Sequence, residues 1–156
     1  MLIATEISRF RPDNPDQSTP PKPYAHAPEE GGSTKAKRVM VVDDEMLIAE
    51  SLADILRLEG FQAVAVSNGA AAVKWAREFE LDAVICDIAM PVMDGFEVAK
   101  QIREAQPECR IILFSGHVAV HGMLANARAG GLEFEFLAKP MRPEIIISML
   151  RDPKPN

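Results

Sequence analysis

With only two cysteines, Cys86 and Cys109, the 156-residue chain has too few for a disulfide framework, and both read as buried thiols. No apolar run approaches the roughly 20 residues needed to span a bilayer. Met1-Leu2-Ile3-Ala4 gives way at once to Thr5 and Glu6, too short and too polar for the centre of a secretory signal. The chain is therefore expected in the cytoplasm, with no membrane insertion. Basic residues are also in deficit: 17 Lys and Arg stand against 23 Asp and Glu, a net charge of −6. Direct nucleic-acid binding through phosphate neutralisation is not expected from that balance. The three histidines, His26, His117 and His121, are scattered and make no metal site. What the chain does have is 47% hydrophobic and 26% charged residues, the proportions of a soluble globular protein. Its length suits one domain with a spare segment.

The prolines locate that segment. Six of the twelve (Pro12, Pro15, Pro20, Pro21, Pro23 and Pro28) precede residue 30, among polar residues without apolar periodicity. Such a stretch cannot bury enough apolar surface to offset its ordering entropy. Residues 1–37 are expected to be a flexible tail, 38–151 a domain, and 152–156 a short C-terminal tail. Residues 1–38 carry six basic and five acidic side chains, which leaves eleven basic and eighteen acidic for the rest, so the acidity belongs to the domain.

From Arg38 onward short apolar runs alternate with amphipathic stretches, the pattern of βα units on a parallel sheet. Val39-Met40-Val41-Val42 is apolar throughout, as a strand covered on both faces requires. We label the expected elements β1 (39–42), α1 (47–56, ended by Gly60), β2 (61–66), α2 (68–79), β3 (83–86), α3 (94–105), β4 (110–114), α4 (118–129, ended by Gly130-Gly131), β5 (134–137) and α5 (from Pro143 to before Pro153). Asp94 followed by Glu97 resembles a capping box for α3. The fold class is α/β, a doubly wound parallel sheet of five strands.

Functional groups in such a sheet collect at the carboxyl ends of the strands. Those ends hold Asp43-Asp44 after β1, Asp87 after β3, Ser115-Gly116 after β4 and Lys139-Pro140 after β5. Crowded carboxylates repel unless a cation sits among them, and oxygen donors favour a hard ion such as Mg²⁺. A carboxylate beside such an ion can attack phosphorus, while Lys139 and Ser115 meet the phosphoryl oxygens. Asp94 reads as a helix cap, and Gly95 as a glycine required by close packing or a turn.

Four segments in order, Val41-Val42-Asp43-Asp44-Glu45, then Asp87-Ile88-Ala89-Met90-Pro91-Val92-Met93-Asp94-Gly95, then Phe114-Ser115-Gly116, then Phe136-Leu137-Ala138-Lys139-Pro140, resemble the receiver domain of two-component response regulators. The resemblance covers about residues 38 to 151. It implies a flavodoxin-like fold in which Asp87 accepts phosphate from a sensor histidine kinase or phosphotransfer protein. It also implies that Asp44, Asp87 and the Ala89 backbone carbonyl bind Mg²⁺ with help from Asp43, and that Lys139 pairs with the phosphoryl group. Ser115 and Phe136 match the switch pair of that family, Ala89 and His117 the positions that affect phosphate lifetime, and Lys139-Pro140 the cis bond.

Two features depart from the family pattern. The Ser115 to Lys139 interval is about two residues longer than the family pattern, with residues 130–133 as the site of the extra length. The expected α5 is short and unusually apolar, which suggests a downstream-partner or homodimer surface on the α4-β5-α5 face. With only residues 152–156 beyond α5, a stand-alone receiver is expected. Two other functions compete with phosphate-controlled signalling. One is a constitutive interaction module on the same fold; the other is a hydrolase with an aspartyl-phosphate intermediate, disfavoured because Ala89 stands where such enzymes carry a second acid.

Overall fold

The computed structural model describes residues 35–116, 122, 125, 128–140 and 142–153. Expectations for residues 1–34, for His26, His117 and His121, and for most of α4 lie outside the described residues. The chain divides into Met1–Gly32 and Ser33–Asn156, and every element below belongs to the second unit.

Five parallel strands form one sheet in the order β2-β1-β3-β4-β5, the flavodoxin-like arrangement expected. They are β1 (Arg38–Val42), β2 (Gln62–Val66), β3 (Ala83–Asp87), β4 (Arg110–Ser115) and β5 (Glu135–Ala138), with α1 (Met46–Leu58), α2 (Gly69–Glu78), α3 (Gly95–Ala105) and α5 (Pro143–Arg151) as helices. Both faces are buried because strand residues alternate between them. Val39, Val41, Ile85, Ile112 and Phe114 pack with Leu52 and Leu56 of α1 and with Ile146 and Leu150 of α5. Met40, Val42, Val84 and Leu113, on the other face, are equally buried, as are Val73 and Ala76 of α2 and Val98 and Ile102 of α3.

The strand and helix ends differ from the sequence reading by about one residue, each for a local reason. β3 extends through Asp87 and β4 through Ser115, since Asp87 pairs with Phe114 and Ser115 with Ala138. Asn68 caps α2 instead of entering it, with Oδ1 accepting from Ala71 N at 2.8 Å, while Asp94 is the α3 cap expected, its Oδ1 accepting from Glu97 N at 2.8 Å. Gly60 takes φ +94° just beyond α1, a conformation that suits glycine after a helix end. Phe134 falls outside β5 and turns toward α3.

The apolar surplus of α5 is mostly used inside. Ile146 and Leu150 are buried, Ile147 and Met149 pack partly against the core, and Ile145 is 47% exposed. Arg110, itself buried, pairs with Glu135 through Nε (2.5 Å) and Nη2 (2.6 Å) and donates Nη1 to the carbonyls of Met149 and Asp152. β4, β5 and the end of α5 are thereby tied at one side chain. The hydrogen bond with Glu135 raises the Arg110 pKa further, so the guanidinium stays charged.

Gln106, just beyond α3, does similar work for α2. Its Nε2 donates to the carbonyls of Ala76 and Phe79, and its Oε1 accepts from Leu81 N at 2.9 Å. Alanine there would leave three partly buried backbone groups unpaired. At roughly 0.5–1.5 kcal/mol per bond, Gln106→Ala is expected to destabilise the domain by about 2 kcal/mol in urea unfolding.

Candidate functional site

The strand order reverses direction between β1 and β3, and in open α/β sheets the crevice at such a point is where ligands bind. The first two sequence-predicted acids follow β1 and the third ends β3. Asp43 and Asp87 are buried and Asp44 is exposed. Carboxylate oxygens of all three lie within 4.8 Å of one another.

Each group has distinct partners. Asp87 Oδ2 accepts from Lys139 Nζ at 2.9 Å, and Asp87 Oδ1 accepts from Ala89 N at 3.0 Å. Lys139 reaches Asp87 because its own amide donates to the Ser115 carbonyl at 3.1 Å, extending the β4–β5 ladder past Ala138. The Lys139-Pro140 bond is cis. Burial alone would lower the Lys139 pKa; the hydrogen bond with Asp87 and the charges of Asp87, Asp43 and Glu45 outweigh it and raise it.

Asp43 is the unbalanced member. Its Oδ1 accepts from Glu45 N at 2.9 Å, but its Oδ2 is buried without a hydrogen-bond partner. Burial, foremost, lifts its pKa to about 6, against the Glu45 amide that lowers it and with the Asp87 charge adding to the rise. An unpaired buried carboxylate oxygen is costly in a dry protein. Three convergent carboxylates with one such oxygen, and no nitrogen or sulfur donor among them, suit a hard divalent cation such as Mg²⁺.

Ser115 is buried at the end of β4, next to Lys139 in the ladder. Phe136 is half-buried on β5 opposite Leu113, two residues before Ala138 and so on the same strand face. Ala89 is exposed beside Asp87 and brings only its backbone. His117 lies outside the described residues. Asp94 serves as the α3 cap rather than joining the acids.

Two contributors went unnoticed in the sequence. The Phe114 ring underlies Lys139, with Nζ 5.1 Å from the ring centroid, a contact set by the Asp87–Phe114 register. Cys86 donates its thiol to the Asp87 carbonyl at 3.4 Å, and burial, with the charges of Asp87, Asp43 and Asp94, pushes its pKa well up. The thiol therefore stays protonated. Cys109 is also buried, and its thiol donates to the Arg110 carbonyl at 3.6 Å.

Comparison with known proteins matches residues 39–151 to the family described as the response regulator receiver domain. Chemotaxis protein CheY of Bacillus subtilis is 34% identical over 116 residues, 74% of this chain and 95% of that protein. The probable transcriptional regulatory protein TcrX of Mycobacterium tuberculosis is 33% identical over 113 residues, 72% of this chain and 47% of that protein, so the chain spans about half the length of this relative. Among solved structures, CheY4 of Vibrio cholerae superposes with a TM-score of 0.66 at 26% identity, covering 74% of this chain and 97% of that one. A response regulator from Burkholderia pseudomallei with a phosphorylated aspartic acid, a calcium ion and citrate gives 0.66 at 25% identity, covering 74% and 66%. Among the described residues no helix is long and apolar enough to cross a membrane.

Proposed function

This chain belongs to the response regulator receiver domain family, and on that premise we propose that it is a phosphorylation-controlled signalling module with Asp87 as phosphoacceptor. The observation that carries the reading is the meeting of Asp43, Asp44 and Asp87 at one strand edge with Lys139 bonded to Asp87. The receiver runs from 38 to 151, after a tail at 1–37.

Asp87 is the nucleophile. One of its carboxylate oxygens forms the P–O bond as the P–N bond of a phosphohistidine donor breaks, the electron pair leaving on the imidazole nitrogen. The donor is a sensor histidine kinase or a phosphotransfer protein. Lys139 exchanges the Asp87 carboxylate for an oxygen of the transferred group, and Ser115 donates its hydroxyl to another. Asp44, Asp87 and the Ala89 carbonyl would hold Mg²⁺ with Asp43 assisting, and the ion would neutralise charge on the phosphoryl oxygens. Phe136 then moves inward on β5, and the α4-β5-α5 face changes its affinity for a downstream protein or a second copy. Ala89 brings no polar side chain to orient a hydrolytic water, which leaves His117, two positions after Ser115 in the sequence, as the candidate for setting phosphate lifetime.

The test is incubation of the full chain with Mg²⁺ and acetyl phosphate, followed by mass spectrometry. An acid-stable, base-labile phosphoryl adduct on the peptide that contains residue 87 is the expected result. Absence of any adduct with Mg²⁺ present overturns the assignment.

Asp43 gives the site a pH signature. Its folded-state pKa, about 6, is above the usual carboxylate value, so the folded protein binds the extra proton more tightly than the unfolded chain. Without metal, this group penalises folding above pH 6, and the penalty fades as pH falls from about 6 toward 4. Mg²⁺ competes with that proton. At roughly ten times its dissociation constant, Mg²⁺ is expected to raise the unfolding midpoint by about 5 °C at pH 8. At pH 5, with Asp43 mostly protonated, the rise should fall to less than about half. Differential scanning fluorimetry at the two pH values checks it; equal shifts would remove Asp43 from the metal site.

A further inference from the structure

Phe96 and Arg103 stand seven residues apart on α3, two turns along one face of the helix, and both hold the segment that leads into β5. The Phe96 and Phe134 rings meet edge to face, with centroids 5.6 Å apart and planes at 87°. Arg103 Cζ lies 5.6 Å from the Phe134 ring centroid, and Nη2 donates to the Glu133 carbonyl at 3.4 Å. The same guanidinium is itself braced, since Nη1 donates to the Pro107 and Cys109 carbonyls, each at 2.8 Å. Residues 130–133, where the sequence reading places the extra length of the Ser115–Lys139 interval, lead into Phe134.

The first residue of α3, next to Phe96, rests on the phosphoacceptor. Gly95 N donates to the Ile88 carbonyl at 3.0 Å, and a Cβ on Gly95 would come 2.0 Å from the Asp87 carbonyl oxygen. One helix of eleven residues therefore touches the Asp87 backbone with its first residue and holds Glu133 and Phe134, at the end of loop 130–133, through Phe96 and Arg103. From Phe134 the chain runs straight through β5 to Lys139, whose ammonium returns to Asp87. Loop 130–133 is thus connected to the same carboxylate by two routes, the helix and the strand.

We propose that Phe96, Arg103 and Phe134 form a coupling device that makes loop 130–133 a reporter of the state of Asp87, distinct from the Ser115–Phe136 pair. The inference rests on Asp87 being the phosphoacceptor. New charge on Asp87 rearranges residues 88–94 and draws Lys139 off the carboxylate, so both attachments of Phe134 shift. An edge-to-face ring pair and a cation above a ring are directional, so the cluster follows that shift instead of absorbing it. A coupling of this kind is shown only by perturbing one end and reading the other.

The experiment is amide NMR of the full chain with Mg²⁺, before and after adding beryllofluoride as a stable phosphoryl mimic. In the unmodified protein the amides of Gly130, Gly131 and Glu133 shift together with those of Ala89 and Lys139. In Phe134→Leu and in Arg103→Gln the loop shifts fall below about half, while the Ala89 and Lys139 shifts and the rate of adduct formation stay within about twofold. Arg103→Lys, which keeps a cation above the ring, restores part of the loop response. Loop amides that stay still in the unmodified protein, or that respond fully in both variants, overturn the coupling. Failure of the Ala89 and Lys139 amides to shift would instead overturn the phosphoacceptor reading beneath it.

Discussion

Asp87→Asn is expected to lower the base-labile phosphoryl adduct by at least about 100-fold, more than any other single change at the strand edge. The carboxamide is nearly the same shape as the carboxylate, so its oxygen can still accept from Ala89 N, which now lies 3.0 Å from Asp87 Oδ1. It is also neutral, and a neutral amide oxygen is a far weaker nucleophile toward phosphorus than a carboxylate. The other end of the amide would present N–H to Lys139, exchanging an ion pair for a repulsive contact. Two effects on stability oppose each other: Lys139 loses its partner, while Asp43 loses one of the charges that raise its pKa. Asp87→Asn should therefore fold, which circular dichroism can establish before the chemistry is read. Acetyl phosphate with Mg²⁺ is the assay. An adduct that persists at the unmodified level sinks the assignment. One that resists hydroxylamine, which cleaves an acyl phosphate, would place the phosphoryl group on a hydroxyl such as that of Ser115.

Much of this was legible in the chain, because the informative residues act locally. Val39-Met40-Val41-Val42 reads as a strand covered on both faces because no polar residue interrupts it, and all four are buried. Asp94 is recognisable as a cap, since a short polar side chain before an apolar-periodic stretch has one orphan amide within reach, whereas Asn68 reads as the first residue of α2 although it caps that helix. The four segments at the strand ends contain Asp43, Asp44, Asp87 and Lys139, which the fold brings together. What depends on pairing between distant residues was not legible. Nothing local tells which of Asp43 and Asp44 is buried, yet that choice leaves Asp43 Oδ2 unpaired and raises its pKa. The last residues of β3 and β4 belong to their strands because Asp87 meets Phe114 and Ser115 meets Ala138, and a register is a property of two segments. Phe134 looked like the first residue of β5 because it is aromatic and precedes an apolar run. Its ring is held instead by Phe96, 38 positions earlier in the numbering, and only the folded chain brings the two together.

Gly95→Ala is expected to destabilise the domain by about 4 kcal/mol, the largest loss from any single added methyl group among the described glycines. At an ordinary helix position the exchange would favour folding by nearly 1 kcal/mol, because alanine is the better helix former. Here the new Cβ would lie 2.0 Å from the Asp87 carbonyl oxygen, 2.7 Å from its carbonyl carbon and 2.8 Å from Ile88 Cα. All three are backbone atoms of a strand end that is itself paired with β4, since Ile88 N donates to the Phe114 carbonyl at 3.0 Å. No side chain can rotate away, so α3 must move off the sheet or the end of β3 must bend, and either displaces Asp87. Gly69 supplies the internal comparison. A Cβ there would meet Val98 Cγ2 at 2.5 Å and Met93 Sδ at 3.1 Å, both side-chain atoms. Met93 can change rotamer and Val98 can shift slightly, so Gly69→Ala should cost no more than about 2 kcal/mol. Urea unfolding of the two variants beside the unmodified protein gives both numbers in one series. Equal losses would mean that α3 yields as readily as a side chain, and its seat on Asp87 would then be too soft to position that carboxylate. A larger loss at Gly95, with a fall in adduct formation greater than the unfolded fraction explains, would show that one tight contact both holds the fold and sets the Asp87 carboxylate.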